Sequence, residues 1–267
     1  MSDELRAELA CLARAARAHL EVEEDLGNAG LPAWQGARSV GATRALAEAS
    51  AQPASASPVA EETVTLAVTL PPADAAEKHM RLQQLASEAT TCQACVLHEK
   101  RKQSVFARGS ESAELAFVGE GPGQEEDRQG LPFVGPAGQL LDRMIAAMGY
   151  GRDEVYVCNI VKCRPPDNRT PRPEEAIACA RFLVPQLELV APKLIVALGR
   201  CAAENLGVAR AGASWRGRFG AWRGIPVLPT YHPAYLLRTP EHKRVVWEDL
   251  QLALTRLGRT PPQRGRP

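Results

Sequence analysis

Short apolar runs alternate with amphipathic stretches through most of the second half of the chain. Four runs have the length of buried strands, and they occupy residues 115–118, 155–160, 194–198 and 226–228. Apolar residues recur at helical spacing over residues 136–149, from about 173 to 190, briefly after 199, and from about 241 to 257. Strands that alternate with helices build parallel sheets covered on both faces. The pattern therefore predicts a three-layer α/β/α fold with a central, mostly parallel four-stranded sheet.

The N-terminal part of the chain has a different pattern. Residues 1–26 place leucines at near-helical spacing between charges, which predicts an amphipathic helix suited to docking on a protein partner. Residues 27–76 are rich in Ala, Ser, Pro and Gly, and they bury too little apolar surface to order themselves. We therefore expect a disordered linker there, a folded domain at 77–257 and a basic tail at 258–267.

Composition and charge narrow the class of protein. The formal net charge is +1 over 267 residues, so the overall charge does not indicate a nucleic-acid-binding protein. The N-terminal sequence MSDELRAELA lacks the features of a signal peptide, and no stretch is long enough to span a bilayer. We therefore expect a cytoplasmic monomer, in which cysteines stay reduced and serve metal binding or catalysis before disulfides.

Four cysteines have the spacing of a metal-binding set. Cys92 and Cys95 form a CxxC pair, and Cys163 and Cys179 follow far along the chain. A CxxC pair brings two thiolates within reach of one metal ion or one cluster edge, and four sulfur ligands suit either tetrahedral zinc or an iron–sulfur cluster. The spacing alone leaves both open. Cys158 and Cys201 lie in apolar settings and are expected to be buried small hydrophobes.

Glycine-rich and polar motifs follow the predicted strands, at the edge where parallel sheets bind ligands. Residues 119–123 (GEGPG) lack the GxGxxG spacing of a dinucleotide site and lead into a predicted loop, but they let backbone N–H groups approach a ligand closely. Asn159 lies near a strand end, where its amide either serves the protein itself or reads the edge of a base. His232 precedes Pro233, which fixes its direction as a catalytic donor needs, although a His–Pro turn is also common.

Basic residues are densest around the third cysteine. Lys162, Arg164, Arg169 and Arg172 form a cluster suited to DNA phosphates. Arg238 ends the motif HPAYLLR and adds a charge near the predicted histidine. Local rather than overall charge therefore favours a nucleic-acid surface.

Together these motifs resemble a known family. GEGPG, GLPFVGPAGQLL, NIVKCRPPDNR and HPAYLLR, with the four cysteines in order, resemble the family 4 uracil-DNA glycosylases, the iron–sulfur members of the uracil-DNA glycosylase superfamily. The resemblance covers about residues 85–257. It implies a DNA-repair enzyme that flips uracil out of DNA and hydrolyses its N-glycosidic bond. No nucleophilic lysine is implied, so we expect an abasic product without a strand nick.

The resemblance also implies the cofactor and the catalytic groups. The ligands of a [4Fe–4S] cluster would be Cys92, Cys95, Cys163 and Cys179. His232 would hydrogen-bond O2 of the departing uracil, assisted by backbone N–H groups around Glu120 and Gly121. Some superfamily members place a water-positioning aspartate where this chain has Gly121, so the water-activating group stays open, with Glu120 as the nearest alternative.

Substrate contacts are implied in the same way. Phe133, which the sequence suggests is exposed, would stack on uracil, Asn159 would read its polar edge, and Glu126 would lie near C5 and help exclude thymine. The residues implied to contact DNA are Lys162, Arg164, Arg169 and Arg238. Uracil-containing DNA is the expected partner.

Two other functions compete with excision. One is a relative that captures uracil-DNA tightly or covalently without turnover. Such relatives carry a histidine in the loop after the second motif, whereas residues 167–170 here are DNRT, which counts against capture. The other is a non-catalytic module in which the metal centre and the basic loop only bind DNA.

Overall fold

The structure is a computed structural model that describes residues 75–209 and 215–260. The predicted helix at 1–26, the predicted linker as far as residue 74, and the tail from residue 261 lie outside the described residues. Within those residues, no helix is long and apolar enough to cross a membrane.

In the described part of the chain, six strands form one sheet in the order β1-β3-β2-β4-β6-β5. Their bounds are β1 Ala107–Gly109, β2 Leu115–Gly119, β3 Tyr156–Asn159, β4 Leu194–Leu198, β5 Gly220–Trp222 and β6 Ile225–Thr230. The inner four are parallel, as predicted, and the two edge strands are antiparallel to their neighbours. The predicted count of four strands is wrong because β1 and β5 are only three residues long and not fully buried, so they carry no apolar run.

Helices cover both faces of this sheet. Their bounds are α1 Ala75–Thr91, α2 Gln124–Gln129, α3 Pro136–Ala147, α4 Pro173–Val190, α5 Arg200–Asn205, α6 Pro233–Arg238 and α7 Lys243–Arg256. Short 3₁₀ turns occupy Val96–Glu99, Pro166–Asn168 and Pro240–His242. The helices predicted from periodicity between residues 136 and 257 are confirmed. The predicted loop after GEGPG is wrong, because α2 begins directly after Gly123, which acts as its N-cap.

The hydrophobic core has two halves, one on each face of the sheet. On one face, Leu82 of α1 and Leu187 of α4 pack with the buried strand residue Val118. On the other face, Leu141 of α3 and Leu250 of α7 pack against Phe117. Successive residues of a strand point to opposite faces, so a fully apolar strand such as β2 needs cover on both. The predicted three-layer architecture is therefore confirmed.

The carboxyl ends of the four parallel strands meet at one edge of the sheet. β2 ends at Gly119, which pairs with Asn159 at the end of β3. β6 ends at Thr230, two residues before His232. The motifs that follow these strands are therefore brought together although they are far apart in the sequence.

Candidate active site and cysteine cavity

A cavity of about 470 Å³ opens at this carboxyl edge. Most of the predicted site residues contribute to its lining, namely Glu120, Gly121, Glu126, Phe133, Asn159, Arg169, His232 and Arg238. The volume falls within the usual range of small-molecule sites.

Asn159 carries an unpaired polar atom in this cavity. Its side chain is buried, and its Oδ1 has no hydrogen-bond partner among the described residues. A Cβ on Gly119 would overlap both this oxygen and the tip of the Phe133 ring, so glycine is needed there. A buried polar group without a partner costs about 1–3 kcal/mol. Such a cost is expected where a ligand supplies the missing hydrogen bond.

His232 is held in one tautomer. It is the N-cap of α6, and its Nδ1 accepts a hydrogen bond from the backbone N–H of Ala234 at 3.1 Å. In a neutral imidazole the other nitrogen, Nε2, then carries the proton. Burial, with a smaller effect of the Arg238 charge, lowers the pKa of His232 to about 4. His232 is therefore a neutral N–H donor at neutral pH.

Phe133 forms a wall of the cavity beside this histidine. Its side chain is 5% exposed, so the expectation of an exposed ring is wrong. The ring centroids of Phe133 and His232 are 5.6 Å apart and tilted by 31°. The backbone of Phe133 has a φ of 56°, which is uncommon for a bulky residue and marks strain. A Cβ on Gly138 would overlap the Phe133 carbonyl, so α3 approaches closely enough to keep this conformation.

The carboxylate of Glu126 fixes the loop that carries Phe133. One oxygen accepts hydrogen bonds from the N–H groups of Val134 (2.9 Å) and Gly135 (3.0 Å). The other accepts from Gly123 at 3.1 Å and closes the start of α2. Both oxygens are therefore engaged with the backbone, and the carboxylate cannot turn away from the cavity without releasing the loop.

Glu120 follows β2 and lines the same cavity. Burial raises the pKa of its carboxyl, and a hydrogen bond with Thr170 opposes that rise. The backbone carbonyl of Glu120 accepts a hydrogen bond from Val161 at 3.2 Å, which ties the GEGPG turn to the segment after β3. A Cβ on Gly121 would come within 2.8 Å of the Val161 side chain, so this turn needs glycine.

Lys162 is not a DNA contact, and its prediction as one is wrong. The side chain is 1% exposed, and its Nζ donates to the Asn159 carbonyl at 2.9 Å and to Gln186 Oε1 at 2.6 Å. It also lies 5.5 Å from the Phe106 ring centroid. Cys163, the next residue, is buried as well.

The three arginines predicted to contact DNA have different positions. Arg169 makes two hydrogen bonds to the buried carboxylate of Glu175, at 2.8 and 2.6 Å, and so holds its loop in place. Arg164 donates to Asn168 across the same loop at 2.8 Å. Arg238 is exposed at the rim of the cavity. Of these side chains, Arg238 has the position that best suits a phosphate.

The four predicted metal ligands line a second, much smaller cavity of about 10 Å³. None of Cys92, Cys95, Cys163 and Cys179 is in a disulfide, and within the described residues they do not yet form a closed coordination set. Burial raises the pKa of the Cys163 thiol and raises that of Cys179 to about 11. Cys158 and Cys201 are buried, as predicted.

Hydrogen-bond donors already point at these sulfurs. Arg101 donates to Cys163 Sγ at 3.0 Å, and the backbone N–H of Lys162 donates to Cys179 Sγ at 3.2 Å. N–H donors of this kind stabilise thiolates and tune metal–sulfur centres. Four sulfur ligands with such donors have the chemistry of a soft-metal or iron–sulfur site.

Three supporting residues were not predicted from the sequence: Arg101 at the cysteines, Gln186 beneath Lys162, and Asp249 behind the end of β6. Gln186 and Asp249 are buried polar residues on the apolar faces of α4 and α7. A polar residue in the middle of an apolar helix face is the signal that could have indicated them.

Comparisons with known proteins identify the family of this chain. The family described as "Uracil DNA glycosylase superfamily" matches residues 106–251. The type-4 uracil-DNA glycosylase of Thermotoga maritima is 46% identical over 178 residues, which cover 64% of this chain and 93% of that protein. That of Saccharolobus solfataricus is 40% identical over 191 residues, covering 67% and 88%. The fold and cavity therefore fit that superfamily, and the chain belongs to its type-4 uracil-DNA glycosylases.

Proposed function

We propose that this protein excises uracil from DNA in the cavity at the carboxyl edge of the sheet, and that it leaves an abasic site without nicking the strand. The observation that carries the proposal is the buried, unpaired amide oxygen of Asn159 beside a neutral histidine. Family membership supplies the substrate class, since the relatives are named uracil-DNA glycosylases.

Base recognition follows from the walls of the cavity. A uracil flipped out of the duplex would lie against Phe133, whose ring gives it a stacking surface. The Asn159 amide would pair with the N3–H and O4 edge, which satisfies its oxygen. Glu126 lines the same cavity and is anchored by three backbone N–H groups. We assign it to the side of the cavity near C5 of the base, where it would collide with the methyl group of thymine.

Bond cleavage needs stabilisation of the departing base. Negative charge grows on uracil as the C1′–N1 bond breaks, and an oriented donor at O2 lowers that barrier. The Nε2–H of neutral His232 is such a donor, because Nδ1 is occupied by Ala234. Backbone N–H groups at Glu120 and Gly121 would assist from the opposite loop.

Water attack completes the reaction at the sugar. Glu120 is the carboxyl group nearest in sequence to the position where other superfamily members carry an aspartate. Its carboxyl lines the cavity, and burial raises its pKa. We propose Glu120 for this role and Arg238, Arg164 and Arg169 for the DNA backbone, with Arg238 contributing most.

The proposed cofactor is a [4Fe–4S] cluster held by Cys92, Cys95, Cys163 and Cys179. When bound, it supplies a rigid crosslink between distant chain segments. This chain's own residues then hold Asn159 in place, since Cys163 follows Lys162 and Lys162 hydrogen-bonds the Asn159 carbonyl. Iron and sulfide analysis of anaerobically purified protein tests this. Colourless protein with stoichiometric zinc would contradict it.

The cellular setting is also proposed. We infer a cytoplasmic monomer, with residues 1–26 available for a protein partner. Sedimentation of the full chain with and without DNA tests the oligomeric state.

A gel assay on an oligonucleotide with a single uracil separates the candidate functions. Strand cleavage only after alkali, with many turnovers per protein, is the expected result. A stable protein–DNA adduct would instead indicate capture of the base. Binding without either product would indicate a DNA-binding module. Cleavage before alkali would contradict the monofunctional mechanism.

A further inference from the structure

An ion pair between a buried carboxylate and a half-buried arginine lies beside the end of the strand that leads to His232. Asp249 of α7 is 2% exposed, and its carboxylate accepts a hydrogen bond from the Thr230 hydroxyl at 2.6 Å. Arg216 binds the same carboxylate through Nε (3.2 Å) and Nη2 (3.1 Å). Thr230 ends β6, two residues before His232. The pair therefore binds the side chain of the last β6 residue, at the point where the chain turns into the cavity.

The fit around this pair is close. Gly217 has a φ of +71°, and its N–H donates to the Pro229 carbonyl at 2.9 Å. A Cβ on Gly217 would come within 2.9 Å of Asp249 Oδ1. The segment that carries Arg216 thus runs against both the end of β6 and the buried carboxylate, and it has no room for a larger residue.

Aromatic contacts extend the grip to the residues that flank His232. The Arg216 guanidinium lies 5.2 Å from the ring centroid of Tyr231. Tyr231 stacks on His242 with centroids 5.2 Å apart and an angle of 9°. Tyr235, one turn after His232, hydrogen-bonds His242 Nδ1 at 2.8 Å. The chain is therefore held immediately before and after the histidine.

We propose that Asp249, with Arg216 and Thr230, is a positioning residue for His232. The inference rests on the proposed function, in which His232 donates to the departing base. A buried ion pair is weak evidence for a stabilising role, because desolvation offsets most of the attraction. This pair, however, lies at the end of β6, two residues before His232, where the direction of the proposed donor is set. We therefore assign it a role in positioning that donor. Displacements of about 1 Å at a reacting group can lower a rate about a hundredfold.

The test compares Asp249→Asn and Thr230→Val with the wild-type full chain. Thr230→Val removes one hydroxyl and keeps the ion pair, so we expect it to fold even if Asp249→Asn does not. We expect kcat to fall about ten- to a hundredfold in each, with KM for the oligonucleotide nearly unchanged because no DNA contact is removed.

The pH profile gives a readout that a purely structural role would not move. His232 is protonated only below about pH 4 in the wild type because burial disfavours its charged form. A loosened loop admits water, so the pKa rises toward its ordinary 6.5, and the acid limb of kcat/KM should move upward. The titratable or charged groups that line the cavity with it are Glu120, Glu126, Arg169, Tyr235 and Arg238, and none is altered.

Glu114→Gln is the matched control. Glu114 binds Lys193, Arg259 and Tyr150 just before β2, at the opposite edge of the sheet. It loses a carboxylate in an ion-pair network but should leave kcat and the acid limb unchanged. Folded Thr230→Val and Asp249→Asn proteins with wild-type kcat and an unmoved acid limb would overturn the proposal.

A titration of the His232 ring by NMR separates this proposal from the proposed function. The ring pKa should rise in both variants and not in Glu114→Gln, whether or not the protein excises uracil. If the wild type has no activity but the pKa shifts occur, the proposed function fails and the positioning role stands. If excision occurs and the ring pKa is the same in all four proteins, the positioning role fails alone.

Discussion

The two cavities of this protein are joined by one short segment, residues 159–163, yet they are built in opposite ways. The open cavity measures about 470 Å³ and contains the unpaired Asn159 oxygen. The cysteine cavity measures about 10 Å³, and N–H donors already reach its sulfurs. A site for a transient ligand has free volume and an unpaired polar group for that ligand. A site for a permanently bound group is small, and its ligand atoms are already hydrogen-bonded by the protein.

Hydrogen bonds along residues 159–163 connect the two cavities. Lys162 donates to the carbonyl of Asn159, and its own N–H donates to Cys179. The residue proposed to read the base is therefore two hydrogen bonds from a proposed metal ligand. We assign chemistry to the open cavity and rigidity to the cysteine cavity, and the following changes separate these roles.

The largest effect is expected from His232→Ala. Removing one donor from a developing anion typically lowers kcat about 100- to 1,000-fold. Iron content and melting temperature should stay close to those of the wild type, because the histidine touches no cysteine of the set. Single-turnover excision measures the rate, and a rate within threefold of wild type would refute the donor role.

Removal of a cysteine ligand should act on stability first. Cys163→Ala should lose the cluster. Loss of a metal site is among the changes that lower the free energy of unfolding by more than about 4 kcal/mol. At about 2–4 °C per kcal/mol for a domain of this size, the melting temperature should fall by roughly 10 °C or more. Cys201→Ala removes a buried thiol outside the set and should keep its iron. Equal iron in both variants would contradict the assignment.

Glu126→Gln should have an intermediate effect. The amide keeps one acceptor oxygen for three backbone N–H groups, and its NH₂ group is repelled by the others. The Phe133 loop should loosen, and excision should slow about ten- to a hundredfold. Glu125→Gln, on the adjacent exposed residue, is the control. Identical rates for the two variants would exclude the loop-fixing role.

The smallest effect is expected at the DNA backbone. Arg238→Gln should weaken binding a few-fold and reduce the salt slope of log K by about one, as for the loss of one phosphate contact. Lys162→Met removes a buried charge and should leave that slope unchanged. A reduced slope for Lys162→Met would show that the lysine reaches DNA after all. Fluorescence anisotropy at several salt concentrations makes the comparison.

The sequence predicts the centre of this fold better than its margins. β2 and β4 are runs of fully buried apolar residues, so periodicity identifies them directly. β1 and β5 are three-residue edge strands, and they form only because a neighbouring strand offers hydrogen bonds. Local pattern carries no trace of such a tertiary cause.

The motifs predict most of the site, and the predictions that fail or are missing have one physical cause. Lys162 is in a basic run, which predicts a surface position, but it is buried and hydrogen-bonds the Asn159 carbonyl and Gln186. Phe133 follows the acid-rich helix α2 and is predicted to be exposed, but α3 and His232 enclose it. Asp249 is not predicted from the sequence, although it interrupts an apolar helix face. In each case burial is decided by elements distant in sequence.

One measurement tests the division of roles most directly: single-turnover excision by Asn159→Ala, with its iron content determined on the same sample. We expect a full iron complement and a rate at least about a hundredfold lower, because the base loses its polar partner while the cysteine set is untouched. A wild-type rate from this iron-containing protein would contradict the assignment of uracil to the open cavity.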